Sequence, residues 1–234
     1  MKFAYLIEPP FNHRDSDGTV TGSDVELARH VFAELGHSFE PVEAEFAELL
    51  PGLASGRWQM TTGLFATDER RKIALFSRPI WALPDGFLVR SGNPRGITGY
   101  AALGGRDLRV AVIRDQIQHH AVAASGLPAD DVLIFDTYDR AADAVSTGEA
   151  DAYASVARAH IGHLALHPDQ DLDVVTVPTA EKPAARGAFG FAHADAGLCR
   201  AVDDILTAFI GTPKHRAMMH RFGFTDAEID LLLE

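Results

Sequence analysis

Short apolar runs of strand-forming residues alternate with runs of helical period twice along this chain, and that alternation restricts the fold more than any single motif does. Residues 3–7 read as a strand, followed by a Pro-rich turn and a polar exposed loop, residues 12–17, ending at Gly18. Ser23-Asp24-Val25-Glu26 has capping-box spacing, and Val25, Ala28, Val31, Phe32 and Leu35 then recur at helical period until Gly36. A strand over residues 39–42, a helix from Phe46 interrupted by Pro51, and one strand over residues 58–65 complete a β-α-β-α-β opening. Such an order predicts a largely parallel sheet covered by helices.

A helix start at Asp68 and an apolar run over residues 86–90 lead to residues 91–105, which are Gly- and Pro-rich and read as a loop or crossover. The second series predicts strands over 108–113, 132–135, 150–154 and 172–177, with helices over 116–124, 138–147 and 156–166 between them. A strand over 187–193, helices over 198–210 and 213–222, and a capping box at Thr225-Asp226-Ala227-Glu228 close the chain. Two α/β series joined by irregular segments point to two lobes.

Composition removes several function classes. The 234 residues carry 33 acidic against 21 basic side chains, a formal charge of −12, which excludes a basic nucleic-acid footprint. No run approaches the roughly 20 apolar residues that span a bilayer, so no membrane insertion is expected. Cys199, the single cysteine, cannot form an intrachain disulfide. The N-terminus meets Glu8-Pro9-Pro10 directly, without a charged leader or long apolar core, so the chain as written is expected in the cytoplasm, or in the periplasm if a leader was removed before numbering.

Most candidate chemistry reads blandly. His160, His163 and His167 share one face of a predicted helix at a spacing that could hold zinc, but no carboxylate or thiolate accompanies them, and a partly exposed, unliganded face is the expectation. His119 and His120 point in different directions on a helix. No Gly-x-Ser-x-Gly elbow, Walker sequence or three-glycine dinucleotide loop occurs, and Glu43, Glu45, Glu48, Asp130 and Asp131 are spaced as solvated faces or turns. No catalytic residue, cofactor or metal is therefore assigned. Thr62-Gly63-Leu64-Phe65 at a strand end, with Thr67-Asp68-Glu69-Arg70 opening a helix, is more specific. It gathers N–H groups, hydroxyls and a guanidinium fork suited to a carboxylate, the alternative being that Arg70 ties its helix to Asp68 or another surface acid.

In order and spacing these segments resemble the bacterial family 3 extracellular solute-binding proteins, which serve ABC transporters of polar amino acids. Pro9-Pro10-Phe11 with Thr21-Gly22-Ser23-Asp24-Val25-Glu26-Leu27-Ala28 is similar to the family's opening. Residues 46–53 with Ser55-Gly56, then Thr67-Asp68-Glu69-Arg70 with Phe76-Ser77-Arg78-Pro79, then Ser146-Thr147-Gly148-Glu149-Ala150-Asp151-Ala152, match later family segments. The resemblance implies an α/β, two-lobed type II periplasmic-binding-protein fold. Its lobes would be residues 1–87 plus 188–234 and residues 88–187, joined by two crossover strands near 86–90 and 187–193 that close over a small solute.

The resemblance also assigns residues. Arg70 would grip the solute carboxylate, Thr62, Gly63 and Phe65 would add contacts, and Phe46, Trp81 and Phe11 would supply aromatic ones. The family's acid for a ligand ammonium is missing after Asp151-Ala152, where Tyr153-Ala154-Ser155-Val156 follows, and the second lobe's usual Gly-Thr turn is replaced by Arg114-Asp115-Gln116. Asp115, Gln116 and Ser155 join the candidate set on that basis, and Glu8 or Asp115 would neutralise a cationic group of the solute. The implied function is binding of a small carboxylate or zwitterion by a monomer that delivers it to an ABC permease. The alternatives are a dehydratase-like enzyme on the same scaffold, with Glu8 as general acid, and a cytoplasmic ligand-sensing module.

Overall fold

The computed structural model describes residues 1–233, which form two compact units: Met1–Ala82 with the chain from Arg186 onward, and Leu83–Ala185. The first unit opens with β1 (Lys2–Tyr5), a short β2–β3 pair (His13–Arg14 and Val20–Thr21), α1 (Ser23–Glu34) and β4 (Glu40–Glu43). A 3-10 turn, Phe46–Glu48, runs into α2 (Leu49–Ala54), followed by β5 (Met60–Thr61), β6 (Gly63–Phe65), the single-turn α3 (Asp68–Arg71), β7 (Leu75–Phe76) and β8 (Trp81–Leu83). β1 is the centre of a parallel sheet in the order β4-β1-β5, with Phe3 opposite Pro41 on one side and Met60 on the other. α1 buries Val25, Leu27, Ala28, Val31 and Phe32, the apolar stripe that its period predicts.

The second unit comprises β9 (Asp85–Arg90), β10 (Val110–Ile113), α4 (Ile117–Ala123), β11 (Val132–Phe135), α5 (Tyr138–Ser146), β12 (Ala152–Val156), α6 (Ala157–Leu166) and β13 (Leu172–Thr176). Its sheet has the order β11-β10-β12-β9-β13, with β10 parallel to β11 and β12, and β9 antiparallel to β12 and β13. Phe87, Val89, Leu108, Val110, Val112 and Val122 are part of its core. The chain then returns to the first unit through β14 (Ala185–Phe191), which pairs with β6, β7 and β8, and ends in α7 (Ala196–Phe209), α8 (Pro213–His220) and α9 (Asp226–Asp230). Among the described residues no helix is long and apolar enough to cross a membrane.

Several sequence expectations are corrected. The strand expected over 58–65 is two strands in two sheets: β5 runs parallel on β1, whereas β6 runs antiparallel on β14. The break falls at Thr62, whose hydroxyl is drawn inward by other segments. Pro51 does not interrupt its helix; it sits in the first turn of α2, where the missing N–H would have had no helical partner. Ser23 does not cap α1. Gly22 is the N-cap at φ 132°, and a Cβ there would lie 2.1 Å from the Phe11 carbonyl oxygen, so close packing rather than capping chemistry sets that terminus. The capping box at Thr225 and Glu228 does form. Parallel pairing is confined to β4-β1-β5, which is parallel throughout, and to β11-β10-β12; the second unit's sheet is mixed, and β14 pairs antiparallel with β6 and β7.

Candidate functional site

In the first unit Glu8, Phe11, Phe46, Thr62 and Gly63 follow the carboxyl ends of parallel strands, where open α/β sheets present their ligand sites, while Phe65, Arg70 and Trp81 come from β6, the helix after it and β8. β1 exits into the turn of residues 8–12, β4 leads to Phe46, and β5 exits into Thr62 and Gly63. The 8–12 turn is held by Glu8 N–H donating to the Asn12 carbonyl at 2.9 Å and Asn12 N–H donating back at 3.1 Å, which leaves the Glu8 residue half-buried and Phe11 buried.

Arg70 is aimed by backbone chemistry. Thr67 caps α3 by accepting from the Arg70 N–H at 3.3 Å, and Thr67 N–H donates to the Phe65 carbonyl at 3.0 Å. The same carbonyl accepts from Arg70 Nη1 at 3.1 Å, while the guanidinium carbon lies 5.1 Å from the centre of the Phe46 ring. Arg70, Phe46 and Phe65 are thus brought together.

Trp81 is seated on glycines. A Cβ at Gly63 would lie 2.7 Å from the indole nitrogen, and one at Gly187 would lie 2.1 Å from the six-membered ring, so only hydrogen at both positions admits the ring. Phe11 meets the indole at 5.4 Å between centroids and Phe65 meets it edge-on at 5.1 Å. The three rings form one buried aromatic cluster.

Thr62 faces inward. Its hydroxyl donates to Asp24 Oδ2 at 2.7 Å and accepts from Asn12 Nδ2 at 2.8 Å, while Gly63 N–H donates to the same Asp24 oxygen at 2.8 Å. Sequence reasoning missed Asp24 and Asn12, which are 2% and 1% exposed. Burial pushes the Asp24 pKa up to about 6, although the Thr62 hydroxyl, the Gly63 N–H and the Ser23 hydroxyl all favour its ionised form. The Trp81 indole N–H acts in the same direction as those donors, from outside hydrogen-bond geometry.

In the second unit, β10 exits into Arg114-Asp115-Gln116 and β12 carries Ser155 next to its last residue. Asp115 is exposed at φ 62°, a left-handed conformation that Asp tolerates better than most residues. Gln116 is the buried N-cap residue of α4, and Ser155 is 1% exposed. Nearby, a carboxylate that the sequence did not single out is fully engaged: Asp85, 2% exposed, accepts from the Tyr100 hydroxyl at 2.6 Å and Gln118 Nε2 at 2.7 Å and pairs with Lys182.

The histidine face of α6 is also corrected. His160 and His163 are 0% and 2% exposed rather than partly exposed. His160 Nδ1 meets the Tyr138 hydroxyl at 2.7 Å, His163 Nε2 meets Gln170 Oε1 at 2.8 Å, and burial lowers the His160 pKa to about 3. Among the described residues no group of three His, Cys, Asp or Glu side chains is placed to hold a metal ion.

Comparison with known proteins bears on this arrangement. Residues 2–225 match the family described as bacterial extracellular solute-binding proteins, family 3. The chain is 29% identical over 231 residues to a probable amino-acid ABC transporter periplasmic-binding protein of Sinorhizobium fredii, covering 95% of this chain and 76% of that one. It is also 29% identical over 161 residues to the arginine-binding protein ArgT of Corynebacterium glutamicum, covering 63% of this chain and 50% of that protein. Among solved structures, EhuB in complex with hydroxyectoine superposes with a TM-score of 0.89 at 23% identity, covering 99% of this chain and 90% of that one. The arginine-, lysine-, histidine-binding protein ArtJ of Geobacillus stearothermophilus superposes with a TM-score of 0.87 at 21% identity, covering 99% of both chains. A family match running over nearly the whole chain, on a two-unit α/β fold, makes the conclusion direct: this chain belongs to the bacterial extracellular solute-binding proteins, family 3.

Proposed function

We propose that the chain binds a small carboxylate-bearing solute, an amino acid or an analogue of one, and passes it to an ABC permease outside the cytoplasm. The observation that carries this reading is Arg70: a guanidinium fixed by the carbonyl of Phe65 at the end of β6 and by the ring of Phe46, which follows the parallel strand β4. An always-charged planar fork recognises a carboxylate bidentately, and a cation already held in place loses little further freedom on pairing. Glu8, Phe11, Phe46, Gly63, Phe65 and Trp81 complete the first unit's contribution; Thr62 positions them and offers no donor of its own, since its hydroxyl is spent on Asp24 and its N–H on the Ala4 carbonyl. The same reading assigns Asp115, Gln116 and Ser155 of the second unit to the solute.

Relatives and structural neighbours bear names that mention arginine, histidine and hydroxyectoine, so zwitterions are the solutes to try first. The test is a thermal-shift screen of L-arginine, L-histidine, hydroxyectoine, glycine betaine and succinate. A solute that binds only the folded chain at a hundred times its Kd contributes about 2.7 kcal/mol of stability and raises the melting temperature by several degrees. Absence of any shift across carboxylates and zwitterions at millimolar concentration would count against the reading.

A further inference from the structure

We propose that Asp24 is a positioning residue for the solute site: without touching the solute, its carboxylate fixes the turn after β5 to the loop after β1. The inference rests on the solute assignment above and deepens it.

Three segments meet at the first turn of α1. Ser23 N–H donates to the Pro10 carbonyl at 2.9 Å and Asp24 N–H donates to the Phe11 carbonyl at 3.1 Å, which lays the helix start on the 8–12 loop. Gly22 permits that approach, since any side chain there would collide with the Phe11 carbonyl. From the other side, the Asp24 carboxylate takes the Thr62 hydroxyl and the Gly63 N–H on one oxygen, and the Asn12 amide closes the circuit by donating to the Thr62 hydroxyl. Glu8 and Phe11 therefore cannot move relative to Gly63 and Phe65 without breaking a hydrogen bond of this circuit.

The groups facing the carboxylate are Thr62 and Gly63 after β5, Ser23 on α1 and the Trp81 indole on β8; each is a neutral donor. To the Thr62 hydroxyl and the Gly63 N–H a carboxylate offers acceptors alone. An amide of the same shape would accept with one oxygen and turn two N–H groups toward N–H and O–H neighbours. Asp24 is costly to bury and is held ionised at neutral pH by the very turn it positions.

The test compares Asp24→Asn, Thr62→Val and the double variant, all in the full chain. Titration of the wild type from pH 4.5 to 8 moves the Gly63 amide resonance with a midpoint near 6, and this movement is lost in Asp24→Asn. Calorimetry with L-arginine and hydroxyectoine as titrants gives affinities at least tenfold weaker for either single variant. Because the two variants share the Thr62–Asp24 bond, the loss in the double variant is smaller than the sum of the single losses. Affinities within twofold of wild type, additive losses, or a Gly63 amide that does not titrate would each overturn the proposal. Where Asp24→Asn fails to fold, Thr62→Val decides the affinity arm and the wild-type Gly63 titration decides the other. If neither titrant binds the wild type, that failure belongs to the solute assignment, and the Gly63 titration alone decides what Asp24 holds.

Discussion

The guanidinium of Arg70 has little freedom left to lose on meeting a carboxylate, because the Phe65 carbonyl and the Phe46 ring already set its direction. Preorganisation of this kind extends to its neighbours. Trp81 lies over Gly63 and Gly187 at distances that no Cβ tolerates, so Gly187→Ala must expel the indole or bend β14. That variant is expected to lose about 1–3 kcal/mol in urea denaturation and to shift the tryptophan emission to the red. An unchanged midpoint and spectrum would mean that the ring is not seated there. At this scale the sequence was informative where chemistry and spacing are local: Thr67 and Arg70 lie three residues apart, and their capping contact follows from that spacing. Asp24 and Asn12 were illegible for the opposite reason. Asp24 read as one acid in the first turn of a helix; its burial depends on Thr62, which is 38 residues away, and no local pattern encodes that meeting.

Among the elements, strand and helix order could be read from period alone, and β11, predicted over 132–135, occupies those residues in the structure. The failures fall where two segments compete for one backbone. Residues 58–65 are continuously strand-forming, yet the chain changes sheets at Thr62, because β1 and β14 each take one half. Element joints in the second unit depend on a buried charge. Asp85 at the start of β9 binds Tyr100, Gln118 of α4 and Lys182, with its side chain 1% exposed and that of Lys182 27% exposed. Lys182→Met strands this carboxylate without its cation and is expected to destabilise the chain by about 3–5 kcal/mol. Adding Asp85→Asn to that variant recovers part of the loss. A Lys182→Met midpoint equal to wild type in chemical denaturation would show that the pair contributes nothing.

For the molecule as a whole, acid is expected to loosen the fold. His160 is buried and neutral, with its pKa lowered to about 3, so between pH 6.5 and 3 the unfolded chain binds a proton that the folded chain refuses. Stability from this group is complete above the unfolded value and falls as pH drops, by on the order of 3 kcal/mol from pH 7 to 4. His215, lowered by burial to about 4, acts in the same direction. Asp24 opposes both: its raised pKa makes the folded chain the better proton acceptor between about 6 and the ordinary carboxylate value, so it adds stability on acidification. His160→Gln should therefore flatten the fall in denaturation midpoint between pH 7 and 4, and a slope identical to wild type would show that His160 is not buried in its neutral form.

The two-unit architecture and the family were both accessible from motif order, whereas the solute was not, because the residues proposed for it lie far apart in the chain and no local pattern links them. The proposed link from fold to function is the pairing of Arg70 with a solute carboxylate. Calorimetric titration of Arg70→Lys against wild type, using a solute that raises the wild-type melting temperature, tests it most directly. Replacing the fork by a point charge at the same position should weaken binding at least tenfold, about 1.4 kcal/mol or more, with the fold intact. Equal affinities for the two proteins would contradict the assignment.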